Sequence, residues 1–312
     1  MSQLVRAATR GSALARWQTD HVAALLRVVD PEIRIEVVIV ETDGDRRQDI
    51  PIWQMGGKGV FVKEVQAAVL DGRADIAVHS AKDLPSEAYP GLVIGAVPAR
   101  GDARDALIGS SLDALAPGAL VATGSVRRRA QLAWARPDLT FAGLRGNIDT
   151  RLGKIPDGGA VVMALAPLER LGLLDQVVAE HGVEVLEPSI MLPQVGQGAL
   201  AIECRSADRA GSLGDVLGAI EDASGRLTLE AERGFLSELG GDCDLPAGAH
   251  ATMTGDGALR VEGLIASLDG HVVLRYALTS DQSPTAAEAA AVGRAVGAYL
   301  LNDAGGASLL DR

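Results

Sequence analysis

The sequence predicts an α/β fold made of two α/β domains with mixed, largely parallel sheets, plus a small α+β C-terminal domain. Three observations lead there. Short β-branched or apolar runs, IRIEVVIVET (33–42), ADIAVHS (74–80) and GLVIGAVP (91–98), alternate with stretches of helical spacing, the pattern of parallel sheets flanked by helices. A second set of the same kind follows from ALVATGS (119–125) to AVVMALA (160–166). The last third then changes character, because ALRVEGLIASLDGHVVLRYALTS (258–280) reads as antiparallel strands turning at Asp269-Gly270.

Each element has a local reason. Ser12 is a candidate N-cap for a helix that carries Leu14, Trp17, Val22, Leu25 and Leu26 on one face. VFVKEVQAAVLDG (60–72) spaces Phe61, Val65 and Val69 at helical intervals and meets Gly72 where a helix would end. In the second set, RRRAQLAWARP and NIDTRLGKI are the helical members and LTFAGLRGN lies between them. PQVGQGALAIECR (193–205) is a Pro/Gly hinge running into a buried strand, with Cys204 as a core thiol at its end. A final helix is expected from about Pro284 to Leu301, with Pro284 in its first turn. The expected domains are 1–98 with 195–216, then 99–194, then 217–312. No internal repeat is evident.

Composition narrows the function. Of 312 residues 47 % are hydrophobic but only 3 % aromatic, so Ala, Val, Leu and Ile must build the core. The start of the chain lacks an apolar stretch of signal-peptide length, and no run is long enough to span a membrane. Two cysteines make neither a disulfide framework nor a metal site, so no metal is expected and the reading is cytoplasmic. A net charge of −12 argues against a nucleic-acid binder. Yet residues 120–155 hold seven basic side chains (Arg127, Arg128, Arg129, Arg136, Arg145, Arg151, Lys154) against Asp138 and Asp149, a net of +5 that suggests a local anion site.

The placement of polar residues supports that reading. Arg10 and Ser12, then Ser80, Lys82 and Asp83, then Ser125, Arg127 and Arg128 each follow an expected strand, where open parallel sheets bind ligands and helix starts present N–H groups to anions. Arg145 and Arg151 flank a turn and suit bidentate carboxylate binding. GGKG (56–59) lacks the phosphate-loop spacing and instead exposes Lys58 on a loop. His79 is as consistent with a core or cap histidine as with a ligand. GGDCDLPAGAH (240–250) holds a lone thiol, Cys243, in a glycine-rich turn.

Seven blocks taken together resemble the porphobilinogen deaminase (hydroxymethylbilane synthase) family: AATRGS (7–12), GGKGVFVKE (56–64), ADIAVHSAKDLP (74–85), RRRAQL (127–132), LRGNIDTRL (144–152), LPQVGQGALAIECR (192–205) and ERGFLSELGGDCDLPAG (232–248). They occur in the family's order and cover essentially the whole chain. The resemblance implies two periplasmic-binding-protein-like domains with the active site in the cleft between them, and a third domain that carries Cys243. It implies a covalent dipyrromethane cofactor joined through a thioether to Cys243, a cysteine being a competent nucleophile as its thiolate. The implied reaction joins four porphobilinogen molecules head to tail with loss of ammonia, then releases the linear tetrapyrrole.

Residue roles follow from the same resemblance. Asp83 matches the catalytic carboxylate, which would protonate the leaving amine and stabilise the cationic azafulvene. Ser80, Lys82, Asp83, Ser125, Arg127 and Arg128 join Cys243 as cofactor-binding residues. Arg10, Ser12, Lys58, Arg145, Arg151, Arg170 and Gln197 are implied to bind substrate. Porphobilinogen carries two carboxylates, so six rings hold on the order of twelve negative charges that a partly dehydrated cleft must compensate. The expected partner is this small molecule alone, with no nucleic acid and no membrane, and the expected state is a monomer. Several positions depart from the family pattern: Gln54 for a lysine, Gly124 for a serine, and Asp242 beside Cys243, where a like-signed neighbour disfavours the thiolate. A receptor-like protein for a dicarboxylate, or a paralogue without activity, is the alternative.

Overall fold

In the computed structural model, which describes residues 3–42, 59, 62–240 and 245–310, the chain runs β1 (Leu4–Arg10), α1 (Ala13–Val29), β2 (Arg34–Val40), α2 (Lys63–Leu70), β3 (Ile76–Ser80) and β4 (Leu92–Ala96). It continues through β5 (Asp105–Ile108), β6 (Leu120–Ala122), α3 (Val126–Ala135), β7 (Thr140–Ala142), α4 (Ile148–Leu152), β8 (Ala160–Ala164), α5 (Ala166–Arg170), α6 (Leu174–His181) and β9 (Val183–Leu186). The last elements are β10 (Leu200–Arg205), α7 (Ser212–Ala219), α8 (Ala223–Glu238), β11 (Ala247–Met253), β12 (Ala258–Ala266), β13 (Val273–Gln282), α9 (Ala286–Ala298) and α10 (Ala307–Leu310). Cys243, Lys58, Gln54, Phe61 and Asp242 lie outside the described residues.

Two units form: residues 1–101 with 199–226, and residues 102–198 with 227–312. The first contains a five-stranded sheet of order β2-β1-β3-β10-β4, parallel except for β10. The second contains a sheet of order β7-β6-β8-β5-β9, parallel among β7, β6 and β8, with β5 antiparallel to both neighbours. The plan is thus repeated, although no sequence repeat announces it. Sheets of mixed but largely parallel pairing are what the sequence predicts.

Burial explains the strand compositions. On β3, Ile76 and Val78 pack with Val22 and Leu26 of α1 and with Ile202, Cys204 and Leu217, while Ala77 faces the opposite layer with Val65 and Val69 of α2. A strand covered on both faces must be apolar at every position, which is why its sequence shows a continuous run rather than alternation. In the second unit β8 behaves the same way, with Val162 in one cluster and Val161 and Met163 in the other. Cys204 is buried and unpaired, as expected of a core thiol, and burial pushes its pKa up.

The second unit also contains the antiparallel sheet β11-β12-β13, whose last turn falls at Asp269-Gly270 as predicted, with Gly270 at φ 75°. Phe235 of α8 packs there with Ala249, Val261, Ile265 and Val296. With few aromatics available, α8 and α9 approach closely instead: a Cβ on Gly234 would lie 2.2 Å from the Ala290 carbonyl, and one on Gly293 would lie 1.8 Å from that of Ala231. The final helix begins later than its sequence suggests. Thr285 is its N-cap and forms a capping box with Glu288, so Pro284 precedes the cap rather than occupying the first turn.

Candidate active site

In the first unit, β1 and β3 are parallel neighbours, so their C-terminal ends lie side by side. Arg10 is the last residue of β1, and Ser12 caps α1 by accepting a hydrogen bond from the Ala15 amide at 3.2 Å. β3 ends at Ser80 and turns at once through a 3-10 segment, Ala81–Asp83, which presents half-buried Lys82 and Asp83 beside that corner. Gln18, buried on α1, donates to Ser80 Oγ at 2.8 Å, and the Ala81 amide donates to the Ala199 carbonyl at 3.0 Å. Arg10, Ser12, Ser80, Lys82 and Asp83 therefore form one group. His79 points instead into the core, where its Nε2 lies 3.0 Å from Glu203 Oε2 and Gln66 donates to the same carboxylate at 2.9 Å.

In the second unit the basic residues follow three adjacent parallel strands. Ser125, Arg127 and Arg128 come after β6, Arg145 and Arg151 after β7, and Arg170 after β8. Ser125 caps α3 by accepting from the Arg128 amide, and Asn147 caps α4 by accepting from the Thr150 amide at 2.9 Å. Arg151 donates through Nε to the Gly146 carbonyl at 2.8 Å. Arg170 donates to the Gly198 carbonyl at 2.6 Å, and burial pulls its guanidinium pKa down. Gly124 leaves room for the neighbouring strand end, since a Cβ there would sit 2.6 Å from the Leu144 carbonyl.

Two of the predicted anion binders turn out to be held from behind. Arg127 is 2 % exposed and Arg128 7 %, and both bond to Asp105, which has no exposed surface. Arg127 Nη2 reaches Asp105 Oδ2 at 2.8 Å, and Arg128 reaches Oδ1 through Nε at 2.9 Å and Nη2 at 2.8 Å. Gln197 donates to Asp105 Oδ1 at 2.9 Å and accepts from Arg128. Burial raises the pKa of Asp105, but the charges of Arg127 and Arg128 and the Gln197 bond outweigh it and hold the carboxyl below its usual range. Arg127 Nη1 also donates to the Leu192 carbonyl at 2.6 Å, whereas its Nε is buried without a hydrogen-bond partner. That side chain lines a cavity of about 20 Å³ with Ser125, Gln194, Phe235 and Leu245, room for a group the size of one carboxylate oxygen.

Sequence reasoning missed Asp105, Gln18, Glu203 and Glu232. Glu232, fully buried on α8, accepts from the Gly196 amide at 2.7 Å and the Ala251 amide at 2.9 Å, and so ties the hinge before β10 to β11. The available signal for Asp105 was a mismatch: two consecutive arginines opening a helix require a counter-charge, and RDALI puts a carboxylate at the head of an otherwise apolar strand. Gly248 serves close packing, because a Cβ there would lie 2.6 Å from the Pro193 carbonyl.

Guanidinium and hydroxyl groups at the carboxyl ends of the strands, with one carboxylate beside a lysine in the first unit, are chemically suited to small polyanions. Residues 5–212 match the family described as porphobilinogen deaminase, dipyromethane cofactor binding domain, and residues 226–302 match the porphobilinogen deaminase C-terminal domain. Porphobilinogen deaminase from Nitratidesulfovibrio vulgaris (strain DSM 19637 / Miyazaki F) is 46 % identical over 97 % of this chain and 95 % of its own, and that from Syntrophomonas wolfei is 43 % identical over 98 % of both. Among solved structures, the periplasmic aliphatic sulphonate binding protein SsuA from Escherichia coli is similar over 77 % of this chain and 70 % of that one, at 17 % identity and a TM-score of 0.37. The chain belongs to the porphobilinogen deaminase family.

Proposed function

We propose that this chain is a hydroxymethylbilane synthase, a transferase that polymerises four porphobilinogen molecules into a linear tetrapyrrole for porphyrin and heme biosynthesis. Membership of the family over nearly the full length supports the reaction. The single observation that carries the site assignment is the clustering of Arg10, Ser12, Ser80, Lys82 and Asp83 at two adjacent strand ends. Asp83 is the one carboxylate in that group, so it is assigned the transfer of a proton to the leaving ammonia and the stabilisation of the pyrrole cation that remains. Lys82 and Arg10 supply positive charge toward the substrate carboxylates, and Ser12 and Ser80 supply hydroxyl groups.

The donor set of the second unit fits a dipyrromethane, a polycarboxylate. The buried Nε of Arg127 has no hydrogen-bond partner, and that side chain lines a cavity with Ser125 and Leu245. Cys243, two residues before Leu245, is assigned as the thioether ligand, with Lys82, Arg127 and Arg128 assigned to the carboxylates, Ser80 and Ser125 as hydroxyl donors, and Asp83 to the pyrrole nitrogens. When bound, the group supplies the anchored pyrrole on which the product is built. Arg145, Arg151 and Arg170 are assigned to later rings along the carboxyl ends of β7 and β8. Gln197 and Lys58 complete the set, Gln197 acting through Arg128. The antiparallel sheet with α8 and α9 is read as a third domain beginning near residue 217. Its main cluster around Phe235, Val261 and Val296 is distinct from those of β5–β9 and supports that division, although Ala130 and Leu192 pack with Leu264 and Ala266 of β12.

No described helix is long and apolar enough to cross a membrane. The setting is read as cytoplasmic, where a free thiol such as that of Cys204 is ordinary, and the state as a monomer by family resemblance. The test is intact mass. Purified wild-type protein should weigh two pyrrole units more than the polypeptide and release ammonia from porphobilinogen, and Cys243→Ala should have the bare mass and no turnover. A wild-type protein of bare mass that binds porphobilinogen without releasing ammonia would replace this reading with a binding protein.

A further inference from the structure

We infer that Asp105 is a positioning residue of the reaction: its carboxylate fixes where the Arg127 and Arg128 guanidinium groups stand, so that the bound pyrroles are aligned for each condensation. The inference rests on the functional reading above. Asp105 opens β5, the strand antiparallel to its neighbours β8 and β9, so its side chain is set by a sheet rather than a loop. Its two oxygens divide the work, with Oδ2 holding Arg127 and Oδ1 holding Arg128 and Gln197. The remaining terminal nitrogens are also bound, Arg127 Nη1 to the Leu192 carbonyl and Arg128 Nη1 to the Val162 carbonyl at 3.3 Å.

These bonds leave each arginine little freedom to follow a ligand. Of the three Arg127 nitrogens, the buried Nε has no hydrogen-bond partner. A donor fixed in this way selects the position of a carboxylate as well as its charge, because the guanidinium plane cannot tilt without breaking its bond to Asp105. Two arginines against one aspartate also leave the cluster with a net charge of +1, enough to attract an anion while the buried pair remains compensated. Removing the carboxylate would keep the positive charge and lose the direction. Anionic substrate would still be drawn in by the other basic residues, but the reacting carbon would be misplaced, and about 1 Å of misplacement can cost on the order of a hundredfold in rate.

Asp105→Asn keeps the shape and removes the charge, and Asp105→Glu keeps the charge and moves it by one methylene, which covers the case in which the first variant does not fold. For each, circular dichroism checks folding, intact mass gives the fraction carrying two pyrrole units, and initial rates give kcat and KM per loaded chain. The expected result for a folded variant is a kcat at least about tenfold below wild type with KM within about threefold. A folded variant of lower thermal midpoint but wild-type loading, kcat and KM would show that Asp105 is only structural and overturn the inference. Wild-type protein without the mass increment would instead overturn the functional reading, and this inference with it.

Discussion

Glu232 offers a test of how α8, the hinge before β10 and β11 are held together. Its carboxylate accepts one backbone N–H from the hinge, Gly196 at 2.7 Å, and one from β11, Ala251 at 2.9 Å, in a site with no solvent exposure. Glu232→Ala leaves both amides buried without an acceptor. At about 1–3 kcal/mol for each unsatisfied group the loss is about 2–6 kcal/mol. Relief of the desolvation cost of the carboxylate itself returns part of this, so about 3 kcal/mol is expected. For a unit of this size each kcal/mol moves the midpoint by about 2–4 °C, so thermal unfolding followed by circular dichroism should shift down by about 6–12 °C. Glu232→Gln should fall between wild type and Glu232→Ala, since its amide keeps one acceptor but turns a donor toward a second N–H. A shift of less than about 2 °C for Glu232→Ala would refute the claim that these two bonds hold the hinge to β11.

Three further outcomes follow from the same geometry. At Asp75 burial raises the carboxyl pKa, but the bonds from Arg6, at 2.8 Å from Nη2, outweigh it and the net direction is down, as at Asp105. A carboxyl lowered by folding stabilises above its unfolded pKa of about 3.9 and loses that contribution as pH falls through its folded value, so midpoints should be level from about pH 7 to 5 and drop below about pH 4. A decline that starts above pH 6 would contradict this. Asp83→Asn should lower kcat by at least about a hundredfold with an unchanged thermal midpoint, and near-wild-type ammonia release would remove Asp83 from proton transfer. Gly124→Ser should destabilise the second unit by about 1–3 kcal/mol in urea unfolding, because its Cβ would come within 2.6 Å of the Leu144 carbonyl; an unchanged midpoint would mean the β6 and β7 ends part freely.

What the sequence disclosed depended on whether the signal was local. The cap at Ser12, the strand β3 and the turn at Gly270 were legible because each rests on a few neighbouring residues. β11 was not, since AGAHATM is built mainly of alanine and glycine, without β-branched runs, and is held as a strand by seven residues of β12 opposite it. The antiparallel places of β5 and β10 were equally hidden: both are short apolar runs, and pairing direction is settled by where distant segments arrive. At the site, residue types pointed to anions, but the partner of Arg127 and Arg128 lies more than twenty residues upstream, and nothing local marks Asp105 as theirs.

That partnership changes how the positive window should be understood. Counted along the chain, residues 120–155 offer seven basic groups. In the fold, Arg136 is bound to Asp138 and to the Leu112 and Leu115 carbonyls, and Arg127 and Arg128 are matched by a carboxylate from outside the window. The charge is therefore of two kinds. Some guanidinium groups are fixed by buried partners and define positions, and others, such as half-buried Arg145 at the end of β7, sit nearer the surface. A site made only of the second kind would bind any polyanion of the right size, since long-range attraction carries little geometric information. A site made only of the first would have little net charge with which to draw one in. A protein of net charge −12 that must hold several carboxylates in register needs both, and the buried aspartate at the head of β5 is what converts two of its arginines from charge into direction.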